Sequence, residues 1–582
     1  MEDPAQTHED GGSDLTKGDL MSEKQKCFIH IDRQGVRSGP KATKWVKGRK
    51  ALTCVMLGSA LTASPAIHSQ EIDLVEATIA ELRQSLASNA ISAEDLTAAS
   101  LARIEHFEPS YNAFTFVNPD ALAQARAVDA RRAAGESLGP LAGIPVVVKE
   151  SIDFAGLPST SGYSGLSSAT GGTDLIPETN APVVDRLIAA GAIVLGKTNI
   201  PAFSASPSDA DSSWDGPTYN AVDRNIAPGG SSTGTATAIA ASFAVVGLAE
   251  ETAGSIQNPA AAQSLVAIKP TFGLVSNAGV SPLAGSTRDS VGVHARTVAD
   301  AAALLDVIAG YDPADPKTVA SFGNIPAGGY VAGLEGADLH GKRIGLYGPG
   351  WRRSLYDLTP ETEALYRQAV DELEAAGAVV VEDPFAGSDF ASLQRLDFFD
   401  AVDIRGIEAM PYDLNLYLAR LGESAAANSL PELVDLLGHD PLGPNSDSGL
   451  GAMNDIAKVF REGREHPEIV PDLLDFATAR TQYLEAFNTV MEAHQLDAIV
   501  YPQMRSAPPA HGSGEPYLET TVAEINIAGL PAVVVPAGSY GNGAPFALIM
   551  VGKLWSEADL LTYARAYEQA THHRIVPQLS AE

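Results

Sequence analysis

Two serines in glycine-lined turns and one lysine at the end of an apolar run are the residues of this chain best suited to chemistry. Ser231 lies in the turn Gly229-Gly230-Ser231-Ser232 and Ser255 in the turn Thr252-Ala253-Gly254-Ser255. Lys149 closes the run Gly143-Ile144-Pro145-Val146-Val147-Val148. A serine hydroxyl is a weak nucleophile at neutral pH and needs an adjacent base. A lysine serves only when neutral, and apolar surroundings disfavour its charged form; Ile144, Val146, Val147 and Val148 supply such surroundings. Cleaving an acyl bond also needs donors aimed at the oxyanion. The small residues before Ser255 let backbone N–H groups come close to a substrate carbonyl, so Thr252, Ala253, Gly254 and Ser255 are the expected donors. The chemistry expected is acyl transfer by a serine whose base is lysine rather than histidine.

Taken singly, each feature has a plainer explanation. A lysine after a strand usually snorkels to the surface, and a Gly-Ser pair is usually only a turn. Together they have a pattern. Gly229-Gly230-Ser231-Ser232 is followed by Glu251-Thr252-Ala253-Gly254-Ser255-Ile256-Gln257-Asn258-Pro259-Ala260, with Lys149 far upstream. This pattern resembles the amidase signature family, as do Leu187–Asn199, Ala267–Ser276 and Glu524–Gly538. The resemblance runs from about residue 72 to about 572. It implies that Ser255 is the nucleophile, that Ser231, joined to Gly230 by a cis peptide bond, is the bridging serine, and that Lys149 is the base. Ser232 is implied as a support of the network, beside Gly230. Three positions depart from the family pattern. Glu251 stands for the usual Asp, Gln257 for Arg, and Ala253 for Gly, so the usual acid–arginine pair cannot form and the oxyanion turn carries an extra Cβ.

Other chemistries fit less well. Gly230-Ser231-Ser232-Thr233-Gly234 matches the Gly-x-Ser-x-Gly elbow, but that elbow follows a buried strand, and the preceding NAVDRNIAP is polar and broken by proline. His494, His511, His572 and His573 occur late in the chain, with no pattern that makes one a base. No metal-ligand spacing and no phosphate loop occurs, so neither a metal nor another cofactor is expected.

The elements that must position these residues read as α/β. GIPVVVK is a buried strand; APVVDRLIAAGAIVLGK is helix, glycine turn, strand; DELEAAGAVVVED repeats that order; LDAIVYP and PAVVVPAG add strands. Alternation of this kind predicts a large mixed, mostly parallel twisted sheet flanked by helices on both faces, which is also the fold the resemblance implies. Residues 73–135 read as helical, with Ser92 and Asp95 placed as a capping pair. Segment 385–480 is helix-rich around the stretch GHDPLGPNSDSGLG and is expected to cap the pocket within a catalytic domain spanning 71–582. The loop 159–179 fits a pocket wall and a mobile surface loop equally.

Residues 1–70 are polar and aperiodic, the composition of disorder, apart from a basic, then apolar, then small-residue layout over 41–69 that resembles a secretory signal. The apolar part is too short to span a bilayer, and both cysteines, Cys27 and Cys54, fall in this leader. Export, to the periplasm or outside the cell, is therefore expected if the leader is cleaved, and a cytoplasmic enzyme otherwise. A net charge of −33 argues against nucleic acid and anionic membrane as partners. The expected partner is a small-molecule amide, met by a monomer or homodimer. The activity implied is an amidase, with ester or carbamate cleavage also open; the alternative is a glutamine-hydrolysing subunit that feeds ammonia to a partner.

Overall fold

A computed structural model describes residues 73–352, 357–395, 403–444, 446, 450, 458–520 and 523–581. The leader over 1–70 and its signal-like segment lie outside the described residues.

The valine-rich runs form strands because β-branched side chains suit a pleated, packed surface. Eleven strands make one sheet in the order β1-β3-β2-β4-β6-β5-β10-β11-β9-β7-β8. They are β1 Phe114–Val117, β2 Pro145–Lys149, β3 Ile193–Thr198, β4 Val246–Glu251, β5 Val266–Lys269 and β6 Ser290–Ala295, then β7 Arg343–Leu346, β8 Val379–Val381, β9 Ala498–Pro502, β10 Ala532–Ser539 and β11 Pro545–Val551. Parallel ladders join β3 to β2 to β4 at one side and β9 to β7 to β8 at the other. Between them, from β4 through β6, β5, β10 and β11 to β9, every ladder is antiparallel. The sheet is mixed as expected, with a larger antiparallel share than the helix–strand alternation conveys. The reason is local: β10 and β11 form a hairpin with no helix between them, and only turns join β5 to β6. All residues of β2, β3, β4, β5, β6, β9 and β11 are buried, so both faces are covered.

The N-terminal segment is helical as its pattern predicts: α1 is Ile79–Ala87, α2 Ala93–Tyr111 and α3 Ala121–Ala133, and α4, Pro182–Ala189, follows before β3. Ser92 Oγ accepts the Asp95 amide at 2.9 Å while Asp95 accepts from the Ser92 amide at 3.2 Å, closing the predicted capping box. The exception is β1, four residues between two helices that pair antiparallel with β3. Its run is too short to announce a strand by alternation.

Segment 385–480 carries the helices Met410–Arg420, Leu430–Leu437 and Arg461–Glu465. With Tyr163, Leu166, Leu175 and Phe203 it builds a second apolar core, distinct from the one around the sheet. The 159–179 loop is thus packed into this small core through three of its side chains rather than lying free. Tyr417 Oη ties the unit to the sheet by donating to Asp153 Oδ1 at 2.8 Å, four residues beyond Lys149.

Helix α5, Thr233–Ala240, begins directly after the two serines and packs on β2, β3 and β4. Gly234 makes that approach possible: a Cβ there would stand 2.3 Å from the Ala113 carbonyl oxygen and 2.4 Å from the Asn199 nitrogen. Both obstacles are backbone. Gly234→Ala is therefore expected to cost about 1–3 kcal/mol or more, read as a clear fall in the thermal unfolding midpoint. An unchanged midpoint would contradict the close approach.

Candidate active site

The sheet brings the three sequence-predicted groups to one place. Lys149 ends β2, Ser231 sits in the turn that opens α5, and Ser255 follows β4, the strand beside β2. Lys149 Nζ donates to Ser231 Oγ at 2.8 Å. The peptide bond between Gly230 and Ser231 is cis. The Ser232 amide donates to the Ser255 carbonyl at 3.3 Å, so the two serine turns lie side by side. No hydrogen bond joins the Ser231 and Ser255 hydroxyls. Before substrate arrives, catalytic contacts are commonly long and tighten in the complex. Lys149 and Ser231 are fully buried, whereas Ser255 is 8% exposed; of the three, only Ser255 is open to a substrate.

The turn before Ser255 has a free set of donors. Among the described residues, the amides of Thr252, Ala253, Gly254 and Ser255 make no hydrogen bond to another group. Gly254 is required here, since its φ is +97° and a Cβ would press on the Asn258 side chain at 2.9 Å. Ala253 has no such positive φ and is partly exposed, so its extra Cβ sits on the open side of the turn without backbone strain. Ser232 Oγ donates to the Glu250 carbonyl at 3.1 Å, which ties the Ser231 turn to β4.

The missing acid–arginine pair is replaced by amides. Glu251 Oε1 accepts from Gln257 Nε2 at 2.6 Å and Asn526 Nδ2 at 3.0 Å, and Oε2 accepts from the Ile256 and Gln257 amides at 2.8 and 3.1 Å. Glu251 thus holds the start of α6, Gln257–Ala262, where a carboxylate is favoured by the exposed N–H groups.

Four acidic or polar groups at this site escape sequence reasoning. Adjacent strand residues point to opposite faces, and because β4 is buried on both, Glu250 faces Lys149 while Glu251 faces Gln257. Glu250 Oε2 lies 2.8 Å from Lys149 Nζ with both side chains buried. Thr252 Oγ1 donates to Asp289 Oδ1 at 2.6 Å. Burial, then the neighbouring charge of Glu250, pushes the Asp289 carboxyl up to about 7. On the other side, Asn258 Nδ2 donates to Glu519 Oε1 at 2.7 Å, and Gln503 Nε2 donates to Asn258 Oδ1. Burial pushes Glu519 up to about 8. The one signal in the sequence was the pair of consecutive acids, Glu250-Glu251, ending an apolar run.

The late histidines are elsewhere: His511 bonds Asp211 at 2.9 Å and His573 bonds Glu372 at 2.9 Å, while His494 is exposed and His572 caps the helix Glu557–Thr571. His294 is buried nearby on β6; burial pushes it down to about 4, and its Nε2 meets the Ile256 carbonyl at 2.8 Å. Among the described residues no group of three or more His, Cys, Asp and Glu is placed to hold a metal ion.

A serine in a donor-lined turn beside a serine–lysine pair is an arrangement for acyl transfer. The family model Amidase matches residues 95–561, and the chain belongs to the amidase signature family. It is similar to a protein of Chloroflexus aurantiacus named as a subunit of glutamyl-tRNA(Gln) amidotransferase, 34% identical over 87% of this chain and 99% of that one. The protein of the same name from Cyanothece sp. is 33% identical over 86% of this chain and 100% of its own. Among solved structures, the native peptide amidase from Stenotrophomonas maltophilia matches with a TM-score of 0.70 at 32% identity, covering 87% of this chain and 99% of that one. A bacterial aryl acylamidase of the amidase signature family shares the fold, with a TM-score of 0.68 at 22% identity over 85% of this chain and 96% of that one.

These relatives correct two expectations. A small-molecule enzyme complete as monomer or homodimer, with no nucleic acid among its partners, is overturned by relatives named as one subunit of an amidotransferase of glutamyl-tRNA(Gln). Net charge averages the whole surface and says nothing of one contact face. Export is overturned by the same names, which are those of proteins acting on glutamyl-tRNA(Gln). Among the described residues no helix is long and apolar enough to cross a membrane.

The raised Glu519 gives a pH signature. Its carboxyl holds a proton up to about pH 8 in the folded chain, whereas an unfolded glutamate loses it near about 4.3. The folded state then binds more protons through that window, so this group's stabilisation is lost as pH rises across it. Glu519→Gln, with no proton to lose, is expected to flatten the fall of the unfolding midpoint between about pH 5 and pH 8. Parallel curves for parent and variant would contradict the assignment.

Proposed function

We propose that this chain hydrolyses a carboxamide C–N bond through an acyl-enzyme on Ser255, and that it does so as the glutamine-hydrolysing subunit of an amidotransferase. Ser255 Oγ attacks the amide carbon, its proton passes to Ser231, and the Ser231 proton passes to neutral Lys149 Nζ. The amides of the 252–255 turn stabilise the oxyanion. When the intermediate collapses, the C–N bond breaks and the relay returns its proton to the leaving nitrogen, releasing ammonia. Water then attacks the ester, gives a proton to the relay, and frees the acid and Ser255. The helical segment 385–480 caps the pocket in this reading, with the rest of 71–582 as the catalytic body. Ser232 and Gly230 keep the relay turn in register.

The observation that carries the amidotransferase assignment is full-length similarity: the two amidotransferase proteins are matched over 99% and 100% of their own length. A second reading, hydrolysis of a peptide amide, is favoured by the likeness to the peptide amidase, at 32% identity over 99% of that chain. Both readings release ammonia from a primary amide and share the same machinery.

The test is ammonia release by the purified full chain from glutamine and from an amidated peptide. Glutamine turnover, lost by several orders of magnitude in Ser255→Ala as in other nucleophile deletions, is the expected result. Rapid release from the peptide amide with none from glutamine would reject the amidotransferase assignment in favour of the second reading.

A further inference from the structure

Lys149 does not stand in the wholly apolar setting that its sequence neighbours imply. Its Nζ has three acceptors: Ser231 Oγ at 2.8 Å, Glu250 Oε2 at 2.8 Å and the Glu250 carbonyl at 3.0 Å. An ammonium has three protons and no lone pair, so in that state it fills these contacts and takes nothing from Ser231. To act as a base it must first lose a proton, and the acceptor in contact is Glu250. The other Glu250 oxygen, Oε1, lies 3.4 Å from Thr252 Oγ1, which in turn reaches Asp289 at 2.6 Å. One hydroxyl therefore bridges two buried carboxyl groups. Asp289 is held in place by the Leu283 and Ala284 amides, each at 3.0 Å.

We propose that Glu250 is a positioning residue for the relay, holding Lys149 Nζ against Ser231 Oγ and accepting the proton that Lys149 sheds. The N–H bond of Lys149 breaks as an O–H bond forms on Glu250, so a charged pair becomes a neutral pair and no other reactant is needed. Asp289, bridged through Thr252, is a second buried carboxyl, and two carboxyls this close resist full ionisation, which favours a proton staying on the pair.

The charged and titratable groups around the pair are few. Asp289 precedes β6, and His294 on β6 is neutral near pH 7. Glu150, next along from Lys149, is turned to Thr160 and Lys197. Glu251 and Lys269 belong to the opposite side, where Glu251 binds Gln257 and Lys269 donates to the Leu530 carbonyl at 2.8 Å. Arg288 is directed at the carbonyls of Asp403 and Arg405.

This inference rests on the reading of Lys149 as the base, and the experiment separates the two. The probe is a fluorophosphonate, and the readout is the second-order labelling rate of the full chain against pH. Lys149→Ala should lose labelling at every pH; labelling at the parent rate would reject Lys149 as the base. Glu250→Gln cannot take the proton, so Lys149 must lose it to solvent and the acid limb of the rate profile should move to higher pH by about one unit or more. An unmoved limb in folded Glu250→Gln, with Lys149→Ala inactive, would overturn the role of Glu250 and leave that of Lys149 standing. Glu250→Asp keeps the charge on a shorter stem, so the limb should stay near the parent position while the plateau rate falls at least tenfold. If Glu250→Gln does not fold, Glu250→Asp decides: a parent plateau rate would overturn the proposal.

Discussion

The contact on which the site depends is the buried ion pair and hydrogen bond at the junction of β2 and β4. Lys149 has no exposure, and its ammonium is matched at 2.8 Å by Glu250 from the next strand and at 2.8 Å by Ser231 from the turn between them in space. Removing one member of such a pair leaves an unpaired group in a water-free interior, which is costly. The pair therefore constrains the strands that carry it. β2 and β4 run parallel in register from Val146 with Val246 to Val148 with Leu248, which brings Lys149 level with Ala249, one residue before the Glu250 it contacts. The chain between them is anchored at both ends. Gly229 and Gly230 donate to the Ser208 and Pro207 carbonyls at 2.8 Å each, and Ser232 is fastened to Glu250.

Much of this was legible in the sequence for a physical reason. Strands buried on both faces read as unbroken apolar runs, so Pro145–Lys149, Ile193–Thr198, Ala498–Pro502 and Ala532–Ser539 stood out. Residues that bring backbones together must be small, so the Gly-Gly-Ser-Ser and Thr-Ala-Gly-Ser turns stood out too. Lys149 and Ser231 then meet because one closes a strand and the other opens the helix packed on it.

The rest was hidden because it depends on pairs far apart in the chain. Glu250 reads as one of two acids at a strand end, and nothing local reveals that it faces a lysine a hundred residues upstream. Asp289 sits in an unremarked turn, and Glu519 lies in a loop distant from its partner Asn258. The antiparallel centre of the sheet was hidden likewise, because β5 and β6, and β10 and β11, are each joined by turns whose return direction the apolar pattern does not encode. The choice of partners is not legible in net charge, a bulk property that carries no information about one interface.

The substitutions at the signature positions show how the same geometry is reached with different side chains. Where a charged pair is usual, Glu251 is satisfied by two side-chain amides and two backbone amides, which is enough to fill both carboxylate oxygens. The Ser255 turn is thereby held from behind while its own N–H groups stay free. In the proposed mechanism the acyl group is carried by Ser255, reached through a relay that ends at Lys149. Its most direct test is the site of covalent attachment after rapid quenching of the enzyme with an activated amide substrate, located by peptide mass spectrometry. The expected result is an acyl group on the peptide containing Ser255 and none in Ser255→Ala. An acyl group on Ser231, on Ser232 or on any residue outside that turn would contradict it.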